Sequence, residues 1–75
     1  MANDKNYWTV KHPDGWAVKR EGAERATSVH STQAEAWKET KERAKKTEGE
    51  AFLQGEDGQI RERNTYGHDP SDIPG

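Results

Sequence analysis

Apolar and polar positions alternate twice between residues 7 and 20, on either side of Pro13-Asp14-Gly15. In the first run, Trp8 and Val10 fall on one side, with Tyr7, Thr9 and Lys11 on the other. The second run, Trp16-Ala17-Val18-Lys19-Arg20, repeats the period of two expected of a half-buried strand. A three-residue hairpin loop fits the break: proline pre-sets the first turn position, and Gly15 takes the left-handed geometry of a bulge. That loop sets Val10 opposite Val18, His12 opposite Trp16 and Thr9 opposite Lys19. It predicts a core face of Trp8, Val10, Trp16 and Val18, which a slip of one residue would scatter.

Glu21 to Glu24 reads as a second turn, and Arg25 to His30 as a third strand of weak apolar content. Thr32-Gln33-Ala34-Glu35 has the form of a capping box, so a helix is expected from about Gln33 to Glu48, stopping at Gly49. Its buried stripe is thin: Ala36, Trp37, Thr40, Ala44 and Thr47, with Trp37 supplying much of the packing. Glu50 to Gly55 then pairs with Gln59 to Arg63 around a two-residue Asp57-Gly58 turn. This sets Ala51, Leu53 and Ile60 on one face and Phe52, Arg61 and Arg63 on the other. The expected fold is α+β: a small antiparallel β-sheet, built as a hairpin or three-strand meander, one helix and a second hairpin. The helix is expected to pack on one face, against Trp8, Val10, Trp16, Val18, Leu53 and Ile60. Residues 1–5 are expected to form a disordered N-terminus, 6–70 a single domain and 71–75 a flexible tail.

Composition narrows this picture. Seventy-five residues with 28% hydrophobic content allow one domain with one thin core. A charged fraction of 35% and a mean hydropathy of -1.39 lean towards disorder. Three Trp, two Tyr and one Phe outweigh that, because each buries a large area from a single position. With no cysteine, disulfide staples and thiolate chemistry are excluded. No apolar run is long enough to span a bilayer and MANDKNYW has no apolar signal core, so a soluble, cytoplasmic protein without membrane contact is expected. The net charge of -2 divides unevenly: Glu50, Glu56, Asp57, Glu62, Asp69 and Asp72 against Arg61 and Arg63 leave -4 on residues 50–75, hence +2 on residues 1–49. Neither half has the strongly basic footprint of a dedicated DNA binder.

Catalytic chemistry finds little support. His12, His30 and His68 are scattered and form no helical ligand pair, so neither a metal nor a cofactor is expected. Ser28, His30 and Asp69 lack any strained nucleophile turn, and so thin a domain offers little cavity for a substrate. Gly55-Glu56-Asp57-Gly58 has no lysine and no helix start to cradle a phosphate. The expectation is a non-catalytic binding module rather than an enzyme. Sheet-based nucleic-acid binders set aromatic and basic side chains on one open face. Tyr7, Lys11 and Lys19 from the first hairpin, with Phe52, Arg61 and Arg63 from the second, form such a set if the hairpins share a sheet. An open sheet face is polar in any case, and the same face serves equally for a protein partner or for self-association. On the helix, Lys38, Lys41 and Lys45 run beside Glu35, Glu39 and Glu42. With Glu39–Arg43 and Glu42–Lys46 spaced i,i+4, that is the pattern of a solvated face.

From about Trp8 to Pro70 the chain resembles the small, mostly bacterial family known as domain of unknown function 2188. The pieces that carry the resemblance are GWAVKREG (Gly15 to Gly22), Arg25-Ala26, the TQAEA helix start (Thr32 to Ala36), DGQIRER (Asp57 to Arg63) and YGHDP (Tyr66 to Pro70). Family members often end in a proline-rich stretch and a glycine, of which SDIPG is a looser version. The resemblance implies a compact α+β domain and brings no assigned activity.

Overall fold

The computed structural model describes residues 5–66. Five strands and one helix follow in the order β1 (Tyr7–His12), β2 (Gly15–Arg20), β3 (Ser28–His30), α1 (Gln33–Thr47), β4 (Glu50–Gln54) and β5 (Ile60–Thr65). The expected disordered N-terminus and flexible tail fall almost wholly on residues outside the described range. The strands form one sheet in the order β3-β2-β1-β4-β5. It is mixed rather than antiparallel throughout: β4 lies parallel to β1, joining the two hairpins edge to edge. The reason is topological, since α1 returns the chain along the sheet and a helical crossover delivers the next strand in the direction of the first.

The first hairpin corrects the expected register by one residue. Gly15 joins the strand opposite His12, leaving Pro13 and Asp14 alone as the loop. Thr9 therefore faces Val18 and Lys11 faces Trp16, while Trp8 pairs with Lys19 and Val10 with Ala17. Directly opposed residues point to the same side, so Tyr7 and Thr9, not Trp8 and Val10, share the face of Trp16 and Val18. Gly15 is fixed by a close approach as well as by its φ of +138°: a Cβ there would lie 2.2 Å from the His30 carbonyl oxygen. The third strand is shorter than expected, with only Ser28 to His30 pairing on β2.

The second hairpin departs in the opposite sense. Gly55 N–H donates to the Gln59 carbonyl (2.8 Å) and Gly58 N–H to the Gly55 carbonyl (3.0 Å). The loop is thus three residues, Glu56 to Gly58, closed by Gly58 at φ 84°. The ladder pairs Leu53 with Glu62 and Gln54 with Ile60, skipping Arg61. That bulge turns Ile60 to the side of Gln54, where it is 54% exposed, rather than into the core.

The helix starts as the sequence predicts, with Thr32 Oγ1 accepting from Glu35 N–H at 3.2 Å. The reciprocal half of the capping box is missing, because the Glu35 carboxylate accepts from Ser31 Oγ instead (3.3 Å). At the other end Glu48, not Gly49, adopts the left-handed conformation (φ 60°). Glu48 N–H bonds to the Lys45 carbonyl and Gly49 N–H to the Ala44 carbonyl, the two bonds of a Schellman motif. Gly49 is needed for space, since a Cβ there would lie 2.0 Å from the Lys5 carbonyl oxygen. Ala36, Trp37, Thr40 and Ala44 of the expected stripe are the buried helix residues, and Thr47 is half-buried. Trp37 and Ala44 cluster with Ala51 and Leu53, and Ala36 clusters with Trp16 and Val18. Tyr7 touches both clusters, and Tyr66 packs on the first.

Candidate functional site

The strand registers define what lies on the sheet side opposite Thr9, Val18 and Leu53. One row across four strands reads Lys19–Trp8–Phe52–Arg63. The Trp8 and Phe52 rings stack, with centroids 4.3 Å apart and planes 22° from parallel. A parallel row reads Val29–Ala17–Val10, with Val29 41% exposed at the sheet edge. On the other side of the aromatic row stand Glu21, next to Asn6, and Glu50, opposite Thr65. The face thus holds an aromatic pair flanked by two cations, an apolar strip on one side and two acids on the other.

Of the six residues expected to share one sheet face, three lie together on it: Lys19, Phe52 and Arg63. Tyr7 and Lys11 lie on the opposite side because of the register shift. Tyr7 packs against both core clusters, and Lys11 holds its Nζ 5.1 Å from the Trp16 ring centroid. Arg61 is skipped by the strand ladder at the bulge, its guanidinium 3.5 Å from Asp57 Oδ2. Trp8 belongs on the face, although the alternating pattern places it in the core. The available signal is the loop: a two-residue Pro-Asp connection turns Trp8 outward beside Phe52.

A hollow of about 280 Å³ adjoins the aromatic pair, lined by Trp8, Val10, Lys19, Arg20, Glu21, Gly22, Ala23 and Gln54. Trp8 Nε1–H and Asn6 Nδ2–H both donate to Glu21 Oε1, each at 3.2 Å. These bonds fix the carboxylate at the rim. Phe52 covers the Trp8 ring from the β4 side, whereas most of the lining belongs to β2 and the turn after it.

A second polar cluster lies between β3 and the helix. Ser28 Oγ donates to Glu39 Oε1 (2.7 Å), His30 Nε2 meets the same oxygen (2.6 Å), and Arg43 Nε donates to Oε2. Burial pushes the Glu39 carboxyl up, but the hydrogen bonds from Ser28, Arg43 and His30, with the charge of Arg43, outweigh it and hold the pKa at about 2. In return Glu39 raises the Arg43 pKa. This is no nucleophilic triad: Ser28 and Glu39 both meet His30 at Nε2, so the ring cannot pass a proton from one to the other. The adjacent hollow, about 570 Å³, mixes Glu35, Glu39 and Glu42 with Lys38, Arg43 and Lys46. His68 and Asp69 lie outside the described residues. Among the described residues no group of three or more His, Asp or Glu side chains is placed to hold a metal, and no helix is long and apolar enough to cross a membrane.

Comparison with known proteins agrees with the sequence resemblance. The chain is similar to the uncharacterized protein YdaT of Bacillus subtilis (strain 168), with 37% identity over 54 residues. The match covers 72% of this chain and 36% of YdaT, so the chain spans about a third of that relative's length. No solved structure matches. Residues 7–66, which include every strand and the helix, match the family described as "Uncharacterized protein conserved in bacteria (DUF2188)". The chain belongs to this family.

Proposed function

We propose that the domain is a non-catalytic binding module that takes single-stranded nucleic acid on the sheet face opposite the helix. The observation that carries this reading is the row Lys19–Trp8–Phe52–Arg63. Helix residues Ala36, Trp37, Thr40 and Ala44 pack with Thr9, Val18 and Leu53, on the side away from the aromatic row, where Trp8 and Phe52 are half-buried. Stacking on an aromatic ring is tolerant of base identity, and cations at both ends of the row meet the phosphates. Each aromatic spends one ring face on its neighbour, so the outer faces of Trp8 and Phe52 take the bases. Glu21 and Glu50 repel phosphate, which keeps the backbone of the strand towards Lys19 and Arg63. The ligand set is therefore Trp8, Phe52, Lys19 and Arg63, without Tyr7, Lys11 or Arg61. A cysteine-free chain suits the reducing cytoplasm.

The test is an amide and indole NMR titration with single-stranded DNA, duplex DNA and RNA at two salt concentrations. Shifts should centre on Trp8, Lys19, Phe52 and Arg63 and weaken with salt, because phosphate contacts release counterions. Lys19→Ala combined with Arg63→Ala should lower the log–log salt slope by roughly 1.4 units, about 0.7 for each phosphate no longer neutralised. An unchanged affinity and slope in that variant would remove nucleic acid from this face. The exposure of Val29 (41%) and Ile60 (54%) favours a second reading, self-association or a protein partner through the same face. Its mark is concentration-dependent line broadening that salt leaves in place and Val29→Lys removes.

A further inference from the structure

The hollow beside Trp8 combines an aromatic wall, a fixed carboxylate and the cation of Lys19 within one small volume. At about 280 Å³ it lies just below the usual range for ligand pockets, roughly 300–1,000 Å³, which suits one ring system rather than an extended cofactor. Phe52 closes the β4 side of the Trp8 ring, so the stacking surface left to a ligand faces β2 and the turn after it. Glu21 stands at that surface. Among the described residues its two hydrogen bonds, from Asn6 and Trp8, both end on Oε1, which leaves the lone pairs of Oε2 for a donor on the ligand. An ionised carboxylate accepts and does not donate, so it selects an edge with adjacent N–H groups and no acceptor between them.

Among the nucleobases, guanine alone presents that edge, with N1–H beside the N2 amino group. Adenine and cytosine set an acceptor nitrogen next to their amino groups, and uracil flanks its single N–H with two carbonyls. Each of these would turn a lone pair towards Glu21. Lys19, opposite Trp8 on the same side of the sheet, supplies charge for a phosphate attached to the base. We infer that the hollow is a guanine subsite: Trp8 stacks the base, Glu21 reads its Watson–Crick edge, and Lys19 holds the phosphate. The inference rests on the nucleic-acid reading of the open face and adds base selectivity to it.

The test uses the full chain, isotope-labelled. Its probes are the four ribonucleoside monophosphates, then a short oligouridylate with one central guanosine or, in its place, one adenosine. The guanosine strand should bind about tenfold more tightly than the adenosine strand, with the largest shift at the Trp8 indole N–H. Glu21→Gln keeps an oxygen for Trp8 and Asn6 but replaces the second acceptor by an N–H donor. It should bring the ratio close to one while the spectrum stays folded and the dependence on Arg63 remains. A ratio unaltered by Glu21→Gln, or equal binding of both strands, overturns the subsite and leaves the open-face reading standing. Binding of neither strand nor any nucleotide overturns both. Guanosine monophosphate binding as tightly as the strand supports the subsite and overturns the strand as its ligand.

Discussion

Two side chains set the character of this core: Thr9 and Thr40, both fully buried, whose hydroxyls meet at 2.5 Å. One hydroxyl donates and the other accepts, which joins β1 to the helix where larger apolar side chains are scarce. Removing one partner strands the other without water, so Thr40→Val should destabilise the domain by about 1–3 kcal/mol. The double variant Thr9→Val with Thr40→Val should recover most of that loss, a coupling visible in urea denaturation of the four proteins. Additive losses would mean that the pair only fills space. Glu39 is the other polar residue of structural weight, tying Ser28 and His30 of β3 to Arg43 of its own helix. Its folded pKa of about 2 lies below the ordinary value of 4.5, so the unfolded chain binds its proton first as pH falls. The stabilisation is complete above pH 4.5 and is lost as pH drops through 2. Glu39→Gln should cost about 1–2 kcal/mol at neutral pH, and its stability should converge on that of the parent across this acid range. Parallel pH curves for the two proteins would deny Glu39 this role. Neither pairing was legible in the sequence. An alternating pattern reads Thr9 as a solvent-side residue, and Glu39 has the i,i+4 spacing of an ordinary exposed ion pair.

At the scale of elements, the helix was legible nearly to the residue, because a cap, a five-residue stripe and a glycine stop all point the same way. The hairpins were legible as hairpins but not in register. Pro13-Asp14-Gly15 and Asp57-Gly58 each admit loops of two or three residues, and in both cases the other length was realised. One residue of difference moved Trp8 and Tyr7 across the sheet, and a second moved Ile60 out of the core. Those shifts removed three of the six expected binding residues from the face, while Lys19, Phe52 and Arg63 stayed together on it. The helix stop also has a detail that sequence alone misplaces: the left-handed residue is Glu48 (φ 60°), and Gly49 serves to admit the Lys5 carbonyl. A left-handed non-glycine residue is strained by about 1–2 kcal/mol, and a carboxylate at a helix C-terminus opposes the macrodipole. Glu48→Gly should therefore raise the thermal midpoint, with a gain of about 0.5–1 kcal/mol after the entropy cost of glycine. Gly49→Ala should lower it, since its Cβ meets backbone rather than a movable side chain. The reverse order of the two midpoints would place the strain at Gly49.

For the molecule as a whole, the decisive feature is the parallel contact between β1 and β4. Alternation tells which side a residue faces but not which strand stands beside it, so the sequence left open whether the two hairpins shared a sheet. In the structure β1 is the middle strand of five, bonded to β2 on one side and to β4 on the other. The helix contributes to both core clusters, one built with β4 residues and one with β2 residues. Neither hairpin has a buried face of its own, and an isolated hairpin in water is marginal at best. The domain should therefore unfold as a single unit, as small domains usually do. Leu53 tests this: it is 8% exposed on β4 and paired with Thr9 of β1. Leu53→Ala should cost about 2–5 kcal/mol. If folding is one transition, hydrogen exchange of the Val18 amide, two strands away, should accelerate by the same factor as that of Phe52 beside the substitution. Acceleration confined to β4 and β5 would show that the N-terminal hairpin and helix hold together alone. The aromatic row would then bridge two independently opening halves, and a ligand spanning Lys19 to Arg63 would stabilise the contact between them rather than the fold.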